Sequence, residues 1–217
     1  MGTKMSNSRQ IQVCGPKDEV PEGALKLSVA SRAPVFNPDG WKDLWLLSPF
    51  SVVKSGVAVP GLAGVRSQTV ENAWQFLKVW QDERGWQESE AMEAFRSSCA
   101  IRFPRGRGKK AIGSYWGEDG GVISYVEARR RIYAPCYLEM LERKDRAVLI
   151  ERLRNAASQQ PIYVWDFDSY DITRCGMTHI SEAIEYEPRP FAHAFIVALV
   201  VNGDMDSITL VSKNDDT

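Results

Sequence analysis

The sequence predicts an α+β fold, predominantly helical with a few short strands, in a single compact domain. Three observations lead there. The chain has 217 residues, the size of one ordinary domain able to bury its own core. Its composition, 44% hydrophobic and 25% charged, is that of a globular protein rather than a disordered one. Stretches with helical hydrophobic spacing also outnumber the short alternating runs that read as strands.

In order along the chain, Met1 to Arg9 is polar and reads as a flexible tail, with the globular domain spanning 10–217. Cys14 to Gly23 mixes Gly, Pro and charge and reads as a loop. Ala24 to Ser31 alternates, with Leu25, Leu27 and Val29 on one face, as a half-buried strand does. Pro34, Pro38 and Gly40 end it. Trp41 to Phe50 is aromatic and apolar and closes on the turn-prone Ser48-Pro49 pair. Val52, Val53, Val57 and Val59 suggest strand pieces around Gly56. Thr69 is a candidate N-cap for a helix over Val70–Glu83, and a second helix is expected over Glu88–Cys99. Arg102 to Gly113 reads as a basic, Gly-rich loop and Gly117–Gly121 as a turn. Tyr125–Leu141 is helical with a kink expected near Pro135, and Asp145–Ala157 is helical again. Pro161–Asp166 reads as a strand. A buried helix is expected to open at Pro190 and run to Val201, followed by a last strand at Ile208–Val211.

The bulk properties exclude several function classes. A net charge of -1 gives no global field for nucleic acid, so any such contact rests on local clusters. Cys14, Cys99, Cys136 and Cys175 are widely spaced, with no zinc-ligand pattern, and no metal or other cofactor is expected. The cysteine usage and the absence of a leader-like apolar start predict reduced thiols and a cytoplasmic location. The longest apolar run, Ala194–Val201, is too short to cross a bilayer, and no obligate protein partner is evident.

On a helical wheel, Val70, Ala73, Trp74, Leu77 and Trp80 share one face, while Glu71, Gln75, Lys78 and Asp82 share the opposite stripe. Any amphipathic helix buries one face and solvates the other, and Glu71 near the N-terminus suits the helix dipole without any function. The alternative is that the polar stripe walls a cleft. A carboxylate held there stabilises a sugar cation or activates water.

The segment Thr69-Val-Glu-Asn-Ala-Trp-Gln-Phe-Leu-Lys78 resembles the signature helix of the NADAR family. Leu47-Ser-Pro-Phe50 upstream and Tyr115-Trp-Gly-Glu-Asp-Gly-Gly121 downstream resemble two further family segments, and together these cover about a third of the chain. Asn72 stands where many members have His. The resemblance implies a NADAR-like, metal-free N-glycosidase acting on an ADP-ribosylated or otherwise modified nucleobase. The substrate would be free or in DNA, where excising a base requires flipping it out. A modified phage-type base is one such target, and a defence role would follow from it. The resemblance makes Glu71 and Asp119 catalytic, with Phe50 nearby, and gives Trp116 a stacking role on the base.

Other constellations each have a plain alternative. Arg105 and Arg107 lie in a cluster of five basic residues between 102 and 110, either a solvated loop or a phosphate-binding one that would act with Gln75 and Lys78. Arg131 sits four residues after Glu127, either as a helix ion pair or turned into the cleft. Asp166, Asp168 and Asp171 follow a strand, where a carboxylate can position substrate, and Asp166 is the one selected. His193 is either a hydrogen-bonded core histidine or a substrate contact. The expected partner is thus a nucleotide-type small molecule or modified DNA, and the rival from another class is a non-catalytic ADP-ribose or nucleotide sensor.

Overall fold

The computed structural model describes residues 11–31, 34–80, 86–101, 111–117 and 121–209. Its organising element is a three-stranded parallel sheet of β1 (Gln12–Val13), β8 (Ile162–Trp165) and β2 (Leu25–Ser28), with β8 in the centre. Leu27 pairs with Val164 and Ser28 with Trp165, so β2 and β8 end side by side. Parallel strands need their faces covered. Ile162, Val164 and Leu27 are wholly or almost wholly buried, and helix α6 (His193–Asn202) packs on β1 and β8. In α6 only Val200 and Asn202 escape full burial, as expected of a helix apolar on every side.

Two smaller sheets flank this core. Strands β3 (Val57–Ala58) and β4 (Arg66–Ser67) form an antiparallel pair. Strands β5 (Lys78–Trp80), β6 (Ala111–Trp116) and β7 (Gly121–Ile123) form an antiparallel sheet. The remaining helices are α1 (Val70–Phe76), α2 (Glu88–Arg96), α3 (Tyr125–Ala128), α4 (Ala134–Leu141), α5 (Lys144–Ala157) and α7 (Asp206–Thr209). One hydrophobic cluster joins all three sheets to these helices, so the fold is a single compact α+β domain.

Several elements differ from the sequence expectation. The helix from Val70 stops at its cap, Leu77, and Lys78–Trp80 is a strand. Val79 and Trp80 favour an extended backbone, and pairing with Gly113 and Ala111 satisfies it. Gly113 therefore belongs to a strand, not a loop. A side chain there would meet the Ile123 carbonyl oxygen at 2.2 Å, so only glycine allows β7 to pair this closely. Helix α2 ends at Arg96 rather than Cys99. The stretch from Asp206 closes as the short helix α7 instead of the expected strand, of which 210 and 211 lie outside the described residues. The last long helix opens at His193, three residues after Pro190. The kink expected near Pro135 takes the form of a π-helical turn over Arg129–Tyr133, closed by the Ala134 N–H donating to the Arg129 carbonyl.

The described residues contain no helix long and apolar enough to cross a membrane. The expected N-terminal tail, residues 1–9, lies outside the described residues.

Candidate active site

A cavity of about 600 Å³ opens where β2 and β8 end, in the range that small-molecule sites occupy. Ala30 and Ser31 line it after β2, and Asp166, Phe167 and Asp168 line it after β8. Pro190–His193, the entry to α6, closes a second side. Glu71, Trp74 and Gln75 of α1 with Lys78 of β5 form a third. Ser48–Phe50, Tyr125 and Tyr133 complete the wall.

Local sequence fixes α1 in this position. The Thr69 hydroxyl accepts from the Asn72 N–H at 3.1 Å, starting the helix. The Glu71 N–H donates to the Pro49 carbonyl at 3.0 Å, docking the first turn on the Ser48-Pro49-Phe50 turn. Asn72 is fully buried and faces away from the cavity. Its amide donates to the Ala94 and Cys99 carbonyls, and its oxygen accepts from the Ile101 N–H at 2.8 Å. Asn72 is thus a structural tie between α1 and the end of α2.

The polar stripe faces the cavity. Gln75 Nε2 donates to Glu71 Oε1 at 2.7 Å, and Lys78 Nζ donates to Gln75 Oε1 at 2.9 Å. The carboxamide thereby links an acid to an amine, and its orientation is fixed at both ends. Glu71 Oε2 accepts no hydrogen bond from the described residues. Burial raises the Glu71 carboxyl above its ordinary value, more than the Gln75 hydrogen bond and the Lys78 and His193 charges lower it. Burial likewise brings the Lys78 ammonium down to about 8, against the opposing pull of Glu71 and Asp168. The Lys78 nitrogen also lies 4.8 Å from the Trp74 ring centre.

A second charged pair borders the same cavity. His193 Nδ1 is 2.8 Å from Asp166 Oδ2, and Nε2 is 3.0 Å from the Val29 carbonyl oxygen. A carbonyl only accepts, so Nε2 carries a proton. Burial is the largest single influence and lowers the His193 value, but the Asp166 carboxylate, the Val29 carbonyl and the Glu71 charge together outweigh it and the net shift is upward. Asp166 is held below its ordinary value despite its burial, by the His193 charge and by N–H donors from Asp168 (2.7 Å) and Ala194 (3.2 Å). The result is an imidazolium–carboxylate clamp tying the ends of β2 and β8 to the start of α6. Asp168 follows at the exposed rim, where desolvation first and the neighbouring Asp166 second raise its carboxyl.

The aromatic wall is continuous. Trp74 lies 5.6 Å from Tyr125 and 5.1 Å from Tyr133, and Tyr133 meets Phe191 edge-on at 6.4 Å. Arg129 buttresses it from behind. Its guanidinium is fully buried, stacks on Tyr125 at 4.5 Å, and donates to the carbonyls of Ile184, Tyr186 and Arg189.

Of the residues selected from sequence, Glu71, Gln75, Lys78, Phe50, Asp166 and His193 line this cavity together. Trp116 and Arg131 do not. They stack on each other, with the guanidinium 4.2 Å from the ring centre, and Trp116 packs against Gly61. Glu127 completes a capping box with Ser124. Its carboxyl is lowered chiefly by those Ser124 hydrogen bonds, with Arg131 a lesser contributor. Asp119, Arg105 and Arg107 lie outside the described residues. Trp74, Tyr125, Tyr133, Phe191 and the rim Asp168 were not selected. Trp74 sits on the apolar side of the wheel, where a core residue and a cavity wall look alike.

Residues 19–196 match a family described as a family of unknown function (DUF6939), and the chain belongs to that family. No curated protein and no solved structure matches it.

Proposed function

We propose that this member of the DUF6939 family hydrolyses an N-glycosidic bond, acting on an ADP-ribosylated or otherwise modified nucleobase, free or in DNA. The observation that carries the reading is the Glu71–Gln75–Lys78 chain. It ends on a carboxylate, lining an aromatic-walled cavity, whose Oε2 accepts no hydrogen bond from the described residues. Breaking a base–sugar bond builds positive charge on the sugar and needs a water molecule deprotonated as it attacks. Glu71 Oε2 takes that proton, and the carboxylate opposes the growing charge. The upward shift that burial gives Glu71 suits the task, because a carboxylate with a raised value accepts a proton more effectively than an ordinary one. Trp74, Tyr125 and Tyr133 give a planar base its stacking surface. Lys78 holds Gln75, and through it Glu71, in one orientation.

The NADAR-like reading of Thr69–Lys78 is consistent with this assignment at Glu71, Gln75 and Lys78. The stacking role it gives to Trp116 passes instead to the Trp74 cluster.

The test is base release, followed by chromatography, from a panel of ADP-ribosylated bases, modified nucleosides and modified DNA. Wild-type protein is expected to release base from at least one member, and Glu71→Gln to slow that release about 10²–10⁴-fold. Equal rates for the two proteins sink the assignment. Tight binding with no release by either would make the cavity a non-catalytic sensor. Salt-sensitive duplex binding with abasic-site formation identifies a DNA substrate, and turnover of small compounds alone a free one.

A further inference from the structure

Charge around the cavity bears on which base it takes. Among the described lining residues, Glu71, Asp166 and Asp168 face Lys78 and His193, three carboxylates against two cations. Asp166 and His193 neutralise each other within hydrogen-bond distance. Lys78 is the remaining cation, and it is engaged by Gln75 and acts electrostatically on both Glu71 and Asp168. Arg129 adds a charge behind Tyr125, but it is fully buried, bound to three carbonyls, and does not line the cavity. Among the described lining residues, the open surface therefore has two acidic groups, Glu71 and Asp168, and no unengaged donor cation for a phosphate.

The aromatic wall points the same way. Clustered aromatic faces beside carboxylates attract a cationic ring through the ring quadrupole and direct charge together. The Lys78 ammonium over Trp74 already shows a cation seated on this wall. Tyr125 is partly exposed and Asp168 is exposed, and both line the cavity together with Trp74.

We propose that the cavity selects an N-glycoside whose base carries a positive charge, a pyridinium or N-alkylated purine nucleoside, held between the Trp74–Tyr125–Tyr133 wall and the Glu71 and Asp168 carboxylates. This rests on the N-glycosidase reading and narrows its substrate. The chemistry balances without an acid on the leaving group. Water oxygen bonds to the anomeric carbon as the carbon–nitrogen bond breaks. The bonding pair returns to the ring nitrogen, which leaves neutral, and the water proton passes to Glu71 and then to solvent. A base that leaves in this way needs no proton from the cavity, only the Glu71 carboxylate to take one from water.

The test uses 1-methylnicotinamide, a cation with no sugar to cleave, against neutral nicotinamide, both titrated by calorimetry. The cation is expected to bind at least about 10-fold more tightly, a difference of about 1.4 kcal/mol. Asp168→Asn, at an exposed position, is expected to remove most of that preference while the protein stays folded. Affinity for the cation is expected to rise with pH. Glu71 and Asp168 ionise above their ordinary values, and Lys78 loses its charge near 8, so each step makes the cavity more negative. His193 and Tyr133 are raised, so the loss of either proton at higher pH acts in the same direction, while Asp166 is lowered and already ionised.

Equal binding of the two probes, binding of neither, or displacement of the cation by inorganic pyrophosphate overturns the proposal. The two readings fail separately. Release of neutral bases without cation preference leaves the N-glycosidase and removes this inference. Cation preference with no N-glycoside cleaved leaves a cation-binding cavity and removes the enzyme.

Discussion

The cavity is bordered by two buried charged groups that differ in one respect. In the Asp166–His193 clamp, both ring nitrogens and both carboxylate oxygens have partners. In the Glu71–Gln75–Lys78 chain, one carboxylate oxygen has none among the described residues. The two also shift in opposite senses. Asp166 is held charged, whereas Glu71 is pushed toward its neutral form. A buried charge with every partner in place holds structure together. One left open costs stability and is kept for what it can do to a ligand. Histidine in a cleft invites a catalytic role, and here it belongs to the closed member of the pair.

The largest expected effect follows from breaking the closed group. His193→Leu leaves Asp166 buried without its counter-charge and is expected to cost about 3–5 kcal/mol of unfolding free energy. Glu71→Gln, in contrast, replaces an acid that burial disfavours with a neutral isostere. Its stability, read by urea denaturation, should stay within about 1 kcal/mol of wild type or exceed it. If Glu71→Gln proves the more destabilising of the two, the division into a structural and a functional group is lost.

The pH dependence sharpens the same contrast. His193 is raised in the folded state, so its contribution is complete below the ordinary histidine value of 6.5 and fades as pH rises through the raised one. Asp166 is lowered, so its contribution holds above 3.8 and fades as pH falls through the lowered value. The stability gap between wild type and His193→Leu should therefore be widest between about pH 4 and 6.5 and narrow on either side. Glu71 is raised, so its ionisation weakens the fold as pH climbs above 4.5. Glu71→Gln should gain on wild type over that rise. Thermal melts from pH 4 to 9 measure both curves, and parallel curves would mean that the groups do not differ.

How far the site was legible in sequence depends on how local each signal is. Glu71 and Gln75 share a helix face by spacing alone, and Thr69 marks where that helix starts. Lys78 was placed on the same stripe for a reason that does not hold, since the helix ends at Leu77. It still reaches Gln75 because it is the first residue of the adjoining strand. Asp166 was legible as a strand end, and the parallel partner that makes this end a cavity edge, β2, lies far away in sequence. Tyr125, Tyr133 and Phe191 converge only through tertiary packing across the π-turn and the α6 entry, which no window of sequence contains. Gly113 looked like loop chemistry because glycine marks both turns and close strand approach, and only its partner strand tells them apart.

The smallest effect tests whether the open group depends on its helix start. Thr69 caps α1 through the Asn72 N–H, one turn from the cavity, and touches neither charged group. Thr69→Ala should cost about 1 kcal/mol of stability, the usual loss for a helix cap. Glu71 sits in the uncapped turn, so base release should fall several-fold while the His193-dependent stability gap stays the same. Gln75 and Lys78 still hold Glu71 Oε1 from the helix end, which is why the expected loss is far smaller than for Glu71→Gln. Loss of activity as deep as in Glu71→Gln would mean that the cap, and not the Gln75–Lys78 chain, sets the carboxylate in place.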